Sequence, residues 1–343
     1  LPDKVIESRQ FLEEYLSDVL LQSVEIYNLN KIIGGYSNHT YDLETNLGSL
    51  ILRKPPAGNK IKTGHDVRRE YIIIKALEHS KISVPGPVYF ESNTEILGTP
   101  FYLMKKVDGI VLRSETLSIL KPSETAFYEL SCNAIKQLVA LHTLPINSQT
   151  LGGLGHPIGY IERQVEGWIK RYGKAKTEAI MEMELMAQWI SDNISYTHQS
   201  ALIHNDFKYD NLILDKNDLG NIKSILDWEM ATIGHPLMDL GTTLAYWIEE
   251  NDDEALKIFN TTWLPGNMTR KEVVSYYGFL SKTEIPDMLF YLVFGLFKIA
   301  VIAQQIYHRY SIGQAKDSRF GMLIYVVRSA ARKGVFYINK GKI

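Results

Sequence analysis

Leu202-Ile203-His204-Asn205-Asp206-Phe207-Lys208-Tyr209-Asp210-Asn211-Leu212-Ile213-Leu214 runs from an apolar start, through a polar stretch, into a second apolar run. The apolar ends read as buried strands, so Asp206, Lys208 and Asn211 crowd one loop between them. Polar groups held on a loop by a rigid scaffold are how chemistry is usually displayed. A second signal follows: Ser224-Ile225-Leu226-Asp227-Trp228-Glu229 reads as an apolar strand ending in a carboxylate. A polar turn between two strands would share the composition of the first stretch. It would not supply the ordered set of a carboxylate, a lysine, an amide and a strand-terminal carboxylate.

That set matches what phosphoryl transfer needs: a base, a cation for the moving phosphoryl group, and two hard oxygen ligands for magnesium. Asp206 is the expected base, accepting or orienting the proton of an attacking hydroxyl. Lys208 is the expected cation. Asn211 and Asp227 are the expected Mg²⁺ ligands, since oxygen donors suit that ion. Glu229 falls on the same strand face as Asp227 if the strand continues, which makes it either a further polar group of the site or a solvated one. His204 is expected to hold the loop, Asp239 to clamp its backbone, and His235 to sit in a turn.

Working towards the N-terminus, residues 66–79 read as a helix with Val67, Glu70, Tyr71, Ile74, Leu77 and Glu78 on one stripe. Glu70 therefore lies on the inward face, where a carboxylate is costly unless paired. The preceding strand, Ser49–Lys54, ends at Pro55-Pro56 and places Ile51 and Arg53 on one face. Arg53 is the expected partner of Glu70. Earlier still, Gly34-Gly35-Tyr36-Ser37-Asn38 lies between two strands. Adjacent glycines allow close backbone approach, and Ser37 and Asn38 can hold phosphate oxygens; a plain hairpin turn would read the same way. No P-loop motif occurs. Residues 7–21 have helical spacing through Phe11, Leu12, Tyr15, Leu16 and Val19. Val88–Glu91, Glu95–Leu97 and Phe101–Met104 read as strands, the first two as a hairpin.

The strand pattern breaks at Lys105-Lys106-Val107-Asp108-Gly109, which divides the chain into residues 1–106 and 107–343. The first part is sheet-rich with one inner helix, and the second is mostly helical. Helices are expected over 124–143, 161–172, 178–195, 286–310 and 320–338. The first of these carries Phe127, Leu130, Ala134, Leu138 and Leu141 on one face.

Length and composition bound the rest. The chain has 343 residues, 45% hydrophobic, with a net charge of −2. That is an ordinary globular composition with enough chain for two lobes. Near-neutral charge gives no reason to expect nucleic acid or a membrane surface as partner. Cys132 is the single cysteine, so no intramolecular disulfide can form and a reducing cytoplasm is the expected compartment. Leu1 is not an initiator methionine, and the first thirty residues lack a signal-peptide core. The longest apolar run, Met288–Ala303, contains Lys298 and falls short of the ~20 residues of a bilayer span, so it reads as a buried helix.

On these residues the chain resembles the aminoglycoside phosphotransferase family of kinase-like enzymes: the Gly34-Gly35 loop, Arg53, Glu70, Met104, Asp206–Asn211, Asp227-Trp228-Glu229 and Gly234–Gly241. It is similar, more narrowly, to the branch associated with acyl-CoA dehydrogenases, through Gly153-Leu154-Gly155, Arg163-Gln164-Val165 with Trp168, the run Asp227–Gly234, and Lys298–Ile302. The resemblance implies an α+β, bilobal protein-kinase-like fold. A small antiparallel-sheet lobe with one inner helix would be followed by a large helical lobe. It also implies ATP and Mg²⁺, with Ile51, Met104 and Lys106 joining Arg53 and Glu70 at the nucleotide. Three departures stand out: arginine at 53 where protein kinases carry lysine, Asn205-Asp206 where they carry Arg-Asp, and His235 where the family usually carries Asp.

Only eleven residues separate Asp227 from Asp239, and no Ala-Pro-Glu follows, which leaves no room for the peptide-docking segment of a protein kinase. The expected activity is therefore phosphorylation of a hydroxyl on a small molecule. The competing readings are an aminoglycoside or amino-alcohol kinase and a non-catalytic nucleotide binder; the latter usually lacks one of the four motif residues, and none is lost here. The branch resemblance points to a hydroxyacyl-CoA as acceptor, with an acyl-CoA dehydrogenase as partner. Arg163, Arg171, Trp168 and Tyr172, in one segment with Lys170 and Lys174 against Glu162 and Glu166, are the expected acceptor contacts, alongside Glu229. Cations there would suit an anionic acceptor. Taken one residue at a time, the aromatics read rather as core and the basic residues as solvated.

Overall fold

The computed structural model describes residues 4–7, 9–32, 38–56, 66–146, 151, 153–195 and 199–343. The chain forms two compact units: residues 1–109 with 223–231, and residues 110–222 with 232–343. The sequence division after Lys106 is contiguous. The compact units divide after Gly109 and also place Lys223–Ala231 with the first unit.

In the first unit, α1 (Lys4–Glu7) and α2 (Arg9–Leu20) precede β1 (Ile26–Ile32), β2 (His39–Thr45) and β3 (Gly48–Lys54). Then come α3 (Val67–Leu77), β4 (Pro87–Glu91), the single-turn α4 (Thr94–Leu97) and β5 (Phe101–Lys105). The five strands make one antiparallel sheet in the order β1-β2-β3-β5-β4. Alternation along β3 decides its two faces. Leu50 and Leu52 join Leu43, Leu103, Phe101 and the α2 residues Leu12 and Leu16 in one apolar cluster. Ile51 and Arg53 therefore face the other way, where Arg53 meets Glu70 of α3. Asp66 caps α3, its carboxylate accepting from the N–H groups of Arg68 and Arg69. Tyr71 of α3 stacks on Phe90 of β4 at 5.6 Å and approaches Tyr102 of β5 at 6.1 Å.

One strand reading is corrected here. Glu95–Leu97 is helical, because Asn93 caps a single turn by accepting from Glu95 N–H and Gly98 closes it in the left-handed region. The hairpin is instead β4–β5, with that turn inside its connection.

The second unit contains α5 (Ser114–Leu120), α6 (Glu124–His142), α7 (Tyr160–Ala175), α8 (Met181–Asp192), β6 (Ala201–Ile203) and β7 (Leu212–Leu214). The chain enters the first unit along β8 (Ile222–Ile225) and returns in β9 (Thr232–Gly234), which pairs antiparallel with β6. The remaining helices are α9 (Pro236–Tyr246), α10 (Arg270–Ser281), α11 (Leu289–Ser311) and α12 (Leu323–Lys340). Helix α11 packs against α7, α8, α9 and α12. By length and composition it could cross a membrane, but 78% of its apolar window is buried within the chain. At its crossing with α9, Gly241 and Gly295 bring the backbones together, and a methyl at either would overlap a facing carbonyl. Buried Arg270 ties α10 to Asp252 (2.5 Å) and Glu249 (3.0 Å), and Lys333 of α12 reaches the same Asp252.

Candidate active site

The sequence-predicted groups form two clusters, one in each unit. In the second unit, the β6–β9 pair ends at Ile203 and the loop His204–Lys208 follows, leading into a 3₁₀ turn at Tyr209–Asn211. Asp206 lies in this loop with Lys208 Nζ 3.1 Å from its Oδ2, and Asn211 Nδ2 donates to the same oxygen at 2.9 Å. Asn211 also donates to the Asp206 carbonyl at 2.8 Å, closing the loop on itself. Burial, the largest influence, pushes the Asp206 carboxyl up; the charges of Lys208 and His204 and hydrogen bonds from Lys208 and Tyr246 outweigh it and leave it below the ordinary carboxylate range. Asp206 is thus a carboxylate at neutral pH, able to accept a proton. Lys208 lies 4.7 Å from the Tyr246 ring centroid, which fixes its direction from a second side.

The loop is held from behind. Buried Asp239, in the first turn of α9, accepts from the N–H groups of His204 and Asn205, each at 2.7 Å. His142 of α6 stands 3.0 Å from Asp239 through Nε2 and 2.8 Å from the Tyr277 hydroxyl through Nδ1. Burial pushes Asp239 up, yet the bond and charge of His142 together with His204 hold it below the ordinary range. His235 caps α9 by accepting from Leu237 N–H and stacks on Tyr291, so it orients the helix that carries Asp239. Downstream, the Tyr209 hydroxyl bonds Ser131 and Asn267 and anchors the loop's exit.

In the first unit, Arg53 is the centre. Its Nη2 donates to Asp227 Oδ1 at 2.8 Å and lies 3.7 Å from Glu229, while its Nε lies 3.4 Å from Glu70. Glu70 also accepts from Asn38 Nδ2 (2.8 Å) and the Tyr102 hydroxyl (2.9 Å). Burial pushes the Glu70 carboxyl up, against the pull of Arg53 and these hydrogen bonds. Burial alone would lower the Arg53 guanidinium, but Glu70 and Asp227 raise it, so it stays charged. Asp227 occupies the left-handed region at φ 64°, and Trp228–Met230 form a 3₁₀ turn. This corrects the reading of Glu229 as a continuation of the strand. Asp227 turns the chain, and Glu229 reaches Arg53 from the turn. A non-glycine residue at positive φ is a strained choice of the kind that clusters at functional sites.

The other expected nucleotide contacts divide. Ile51 and Met104 are register partners on β3 and β5, both nearly buried. Lys106 is paired with Asp42 of β2. Asn38 donates its side-chain amide to Glu70. Gly34, Gly35 and Ser37 lie outside the described residues.

Four of the expected acceptor contacts lie on α7, and each has partners within the chain. Trp168 and Tyr172 are buried on α7, Tyr172 edge-on to Phe297 and Trp168 bonded to Gln164. Arg163 donates to the carbonyls of His156 and Ile158 at the start of its own helix, and Arg171 lies over the Trp168 ring. The aromatics are core because the α7 stripe Tyr160, Ile161, Val165, Trp168 and Tyr172 faces inward.

Sequence reading missed the roles of Tyr102, His142, Tyr246 and Tyr277. Tyr102 was within reach by alternation on its strand; the other three carry no local signal.

The donor chemistry fits magnesium. In the first unit Arg53 faces three carboxylates, Glu70, Asp227 and Glu229, which are hard oxygen donors of the kind that Mg²⁺ takes. Among the described residues no group of three or more His, Cys, Asp or Glu is arranged to hold a metal alone. Mg²⁺ typically takes one or two carboxylates and completes its shell with water and phosphate.

An antiparallel sheet with one inner helix, a helical unit and these two polar clusters together define a kinase-like phosphotransferase. The sequence profile of the phosphotransferase enzyme family matches residues 28–273, and the chain belongs to that family. Acyl-CoA dehydrogenase family member 11 of Gallus gallus is 33% identical over 334 residues, which cover 94% of this chain and 42% of that protein. The chain thus spans less than half of that relative. A solved structure described as a candidate aminoglycoside phosphotransferase of Ralstonia eutropha JMP134 is similar at a TM-score of 0.80 and 25% identity, over 96% of this chain and 98% of that one. Spectinomycin phosphotransferase, solved with ADP and spectinomycin, is similar in fold at a TM-score of 0.60 and 13% identity, over 96% of this chain and 98% of that one.

Proposed function

We propose that this chain transfers the γ-phosphoryl group of ATP to a hydroxyl on a small molecule, and that the molecule is a hydroxyacyl-CoA. The observation that carries the chemistry is the Asp206 carboxylate, held between Lys208 and Asn211 and kept ionised by the charges of Lys208 and His204 and by hydrogen bonds from Lys208 and Tyr246. Asp206 takes the acceptor's proton as the hydroxyl oxygen bonds to the γ-phosphorus. The bond to the β-phosphate oxygen breaks and ADP leaves. Lys208 offsets charge on the phosphoryl group in transit. Asn211 and Asp227 are the residues that would ligate Mg²⁺, and the ion would supply charge neutralisation at the phosphates. Arg53, oriented by Glu70, contacts phosphate, and adenine lies against Ile51 near Met104.

The acceptor rests on the relative named as an acyl-CoA dehydrogenase family member, over its matching 42%. A hydroxyl is a poor leaving group and a phosphate a good one. Phosphorylating a hydroxyacyl thioester therefore prepares it for loss of phosphate and a neighbouring proton, which leaves an unsaturated acyl thioester, the class of compound that acyl-CoA dehydrogenases form. The test is ADP release with 3- and 4-hydroxyacyl-CoAs, free hydroxy acids, choline, homoserine and kanamycin-type amines. Turnover is expected with the thioesters, and Asp206→Asn should lower it by about 10²–10⁴-fold while ATP still binds. Turnover confined to the amines and amino alcohols would sink the thioester proposal. Full activity in Asp206→Asn would sink the assignment of the base.

A further inference from the structure

Lys298 lies in the middle of α11, 2% exposed. A charge inside a protein is costly unless its donors are used. Its Nζ donates to the Asn205 carbonyl at 2.7 Å and lies 3.4 Å from Asn205 Oδ1. It also lies 5.8 Å from the Trp168 ring centroid, within cation–π reach. Asn205, like Asp227, is a non-glycine residue in the left-handed region, at φ 67°. Its N–H is fixed by Asp239 and its side chain meets the Tyr160 hydroxyl at 3.2 Å. The Asn205 carbonyl and the Asp206 N–H share one rigid peptide plane. Whatever holds that carbonyl therefore sets the direction from which the Asp206 side chain departs.

We propose that Lys298 is a positioning residue for phosphoryl transfer, holding the Asn205–Asp206 peptide plane so that the Asp206 carboxylate meets the acceptor hydroxyl. The proposal rests on the phosphotransferase reading of Asp206. The groups bearing on Lys298 are Asp206 and Lys208 from the loop, Asp239 from α9 and Arg171 from α7; His204 acts on both of those carboxylates. Burial dominates and pushes the ammonium down to about 8, with Asp239 and Asp206 pulling it up and Lys208 and Arg171 pushing it further down. As pH rises past that value the amine loses its charge and becomes a weaker donor to the carbonyl. A lysine that only filled the core would leave the pH profile of kcat untouched.

The experiment compares Lys298→Met and Lys298→Arg with the wild type, by ADP release with the hydroxyacyl-CoA panel and by amide hydrogen exchange across residues 204–211. In Lys298→Met, kcat should fall about 10²-fold, as expected when a catalytic group is misplaced by about 1 Å. Its KM for ATP should stay within about twofold, and the 204–211 segment should exchange faster. Lys298→Arg keeps a permanent cation. It should recover activity relative to Lys298→Met and lose the alkaline fall in kcat that the wild type shows near pH 8. Unchanged exchange and kcat in Lys298→Met, or a Lys298→Arg profile that superimposes on the wild type, would overturn the proposal. Wild-type protein that released no ADP with any acceptor would instead overturn the phosphotransferase reading, and the exchange comparison would still decide whether Lys298 holds the loop.

Discussion

Glu70 is almost wholly buried and depends on Arg53 for an opposite charge. Breaking a buried pair by removing one partner strands the other charge, at a cost of about 3–5 kcal/mol, whereas replacing both with apolar groups is often neutral. Arg53→Ala should therefore destabilise the protein by about that amount. Adding Glu70→Leu should recover much of the loss, measured as the midpoint of urea unfolding. Strictly additive losses in the double variant would show that the two side chains are not coupled. The same Arg53→Ala change should raise the KM for ATP far more than that for the acceptor, because its remaining contacts are with Asp227 and Glu229, beside the proposed phosphate site.

The first turn of α9 does the work of a clamp. Its N-terminus favours a negative charge, and Asp239 spends that charge on two loop N–H groups and on His142. Replacing the carboxylate by an amide turns one acceptor into a donor facing another donor. Asp239→Asn should cost about 2–3 kcal/mol, in the range for hydrogen bonds to a charged group. It should also lower kcat, since the loop it releases carries Asp206. Thermal unfolding and ADP release check the two effects separately. A variant that melts earlier yet turns over at the wild-type rate would show that the clamp serves stability alone.

At the scale of the whole molecule, the buried carboxylates that hold the two clusters together titrate with opposite sign, while Asp210 beside the second cluster is itself raised by burial. In the second unit Asp206, Asp239 and Asp252 all lie below the ordinary range: burial raises each, but neighbouring cations and hydrogen bonds win. A carboxyl with a folded pKa below its unfolded value, about 3.9 for Asp, contributes stability above that pH and loses it as pH falls through the folded value. Glu70 in the first unit has the opposite sign. Its raised value means that ionisation costs stability, a cost relieved as pH falls. Acid unfolding should therefore begin in the second unit, with residues 201–222, 232–246 and 249–273 exchanging before 39–54 as pH drops below about 4. Earlier exchange in the β2–β3 region would contradict this assignment of the carboxylates.

Local spacing alone determined a good deal about this protein. Asp206, Lys208 and Asn211 sit within six consecutive positions, and strand alternation with a helical stripe is enough to turn Arg53 and Glu70 towards each other. Periodicity also marked α3, α6, α7 and the buried α11, because each has an apolar stripe or run that must be covered. Tertiary structure decided what periodicity cannot encode. Glu95–Leu97 became a turn of helix through an Asn93 cap, and Glu229 left the strand because Asp227 took a left-handed conformation. Above all, buried polar partners far apart in the chain meet only on folding: Lys298 with Asn205, 93 positions away, and His142 with Asp239, 97 positions away. A buried charge announces in the sequence that it needs a partner, but the fold alone chooses which one, because only packing brings the two to hydrogen-bonding distance.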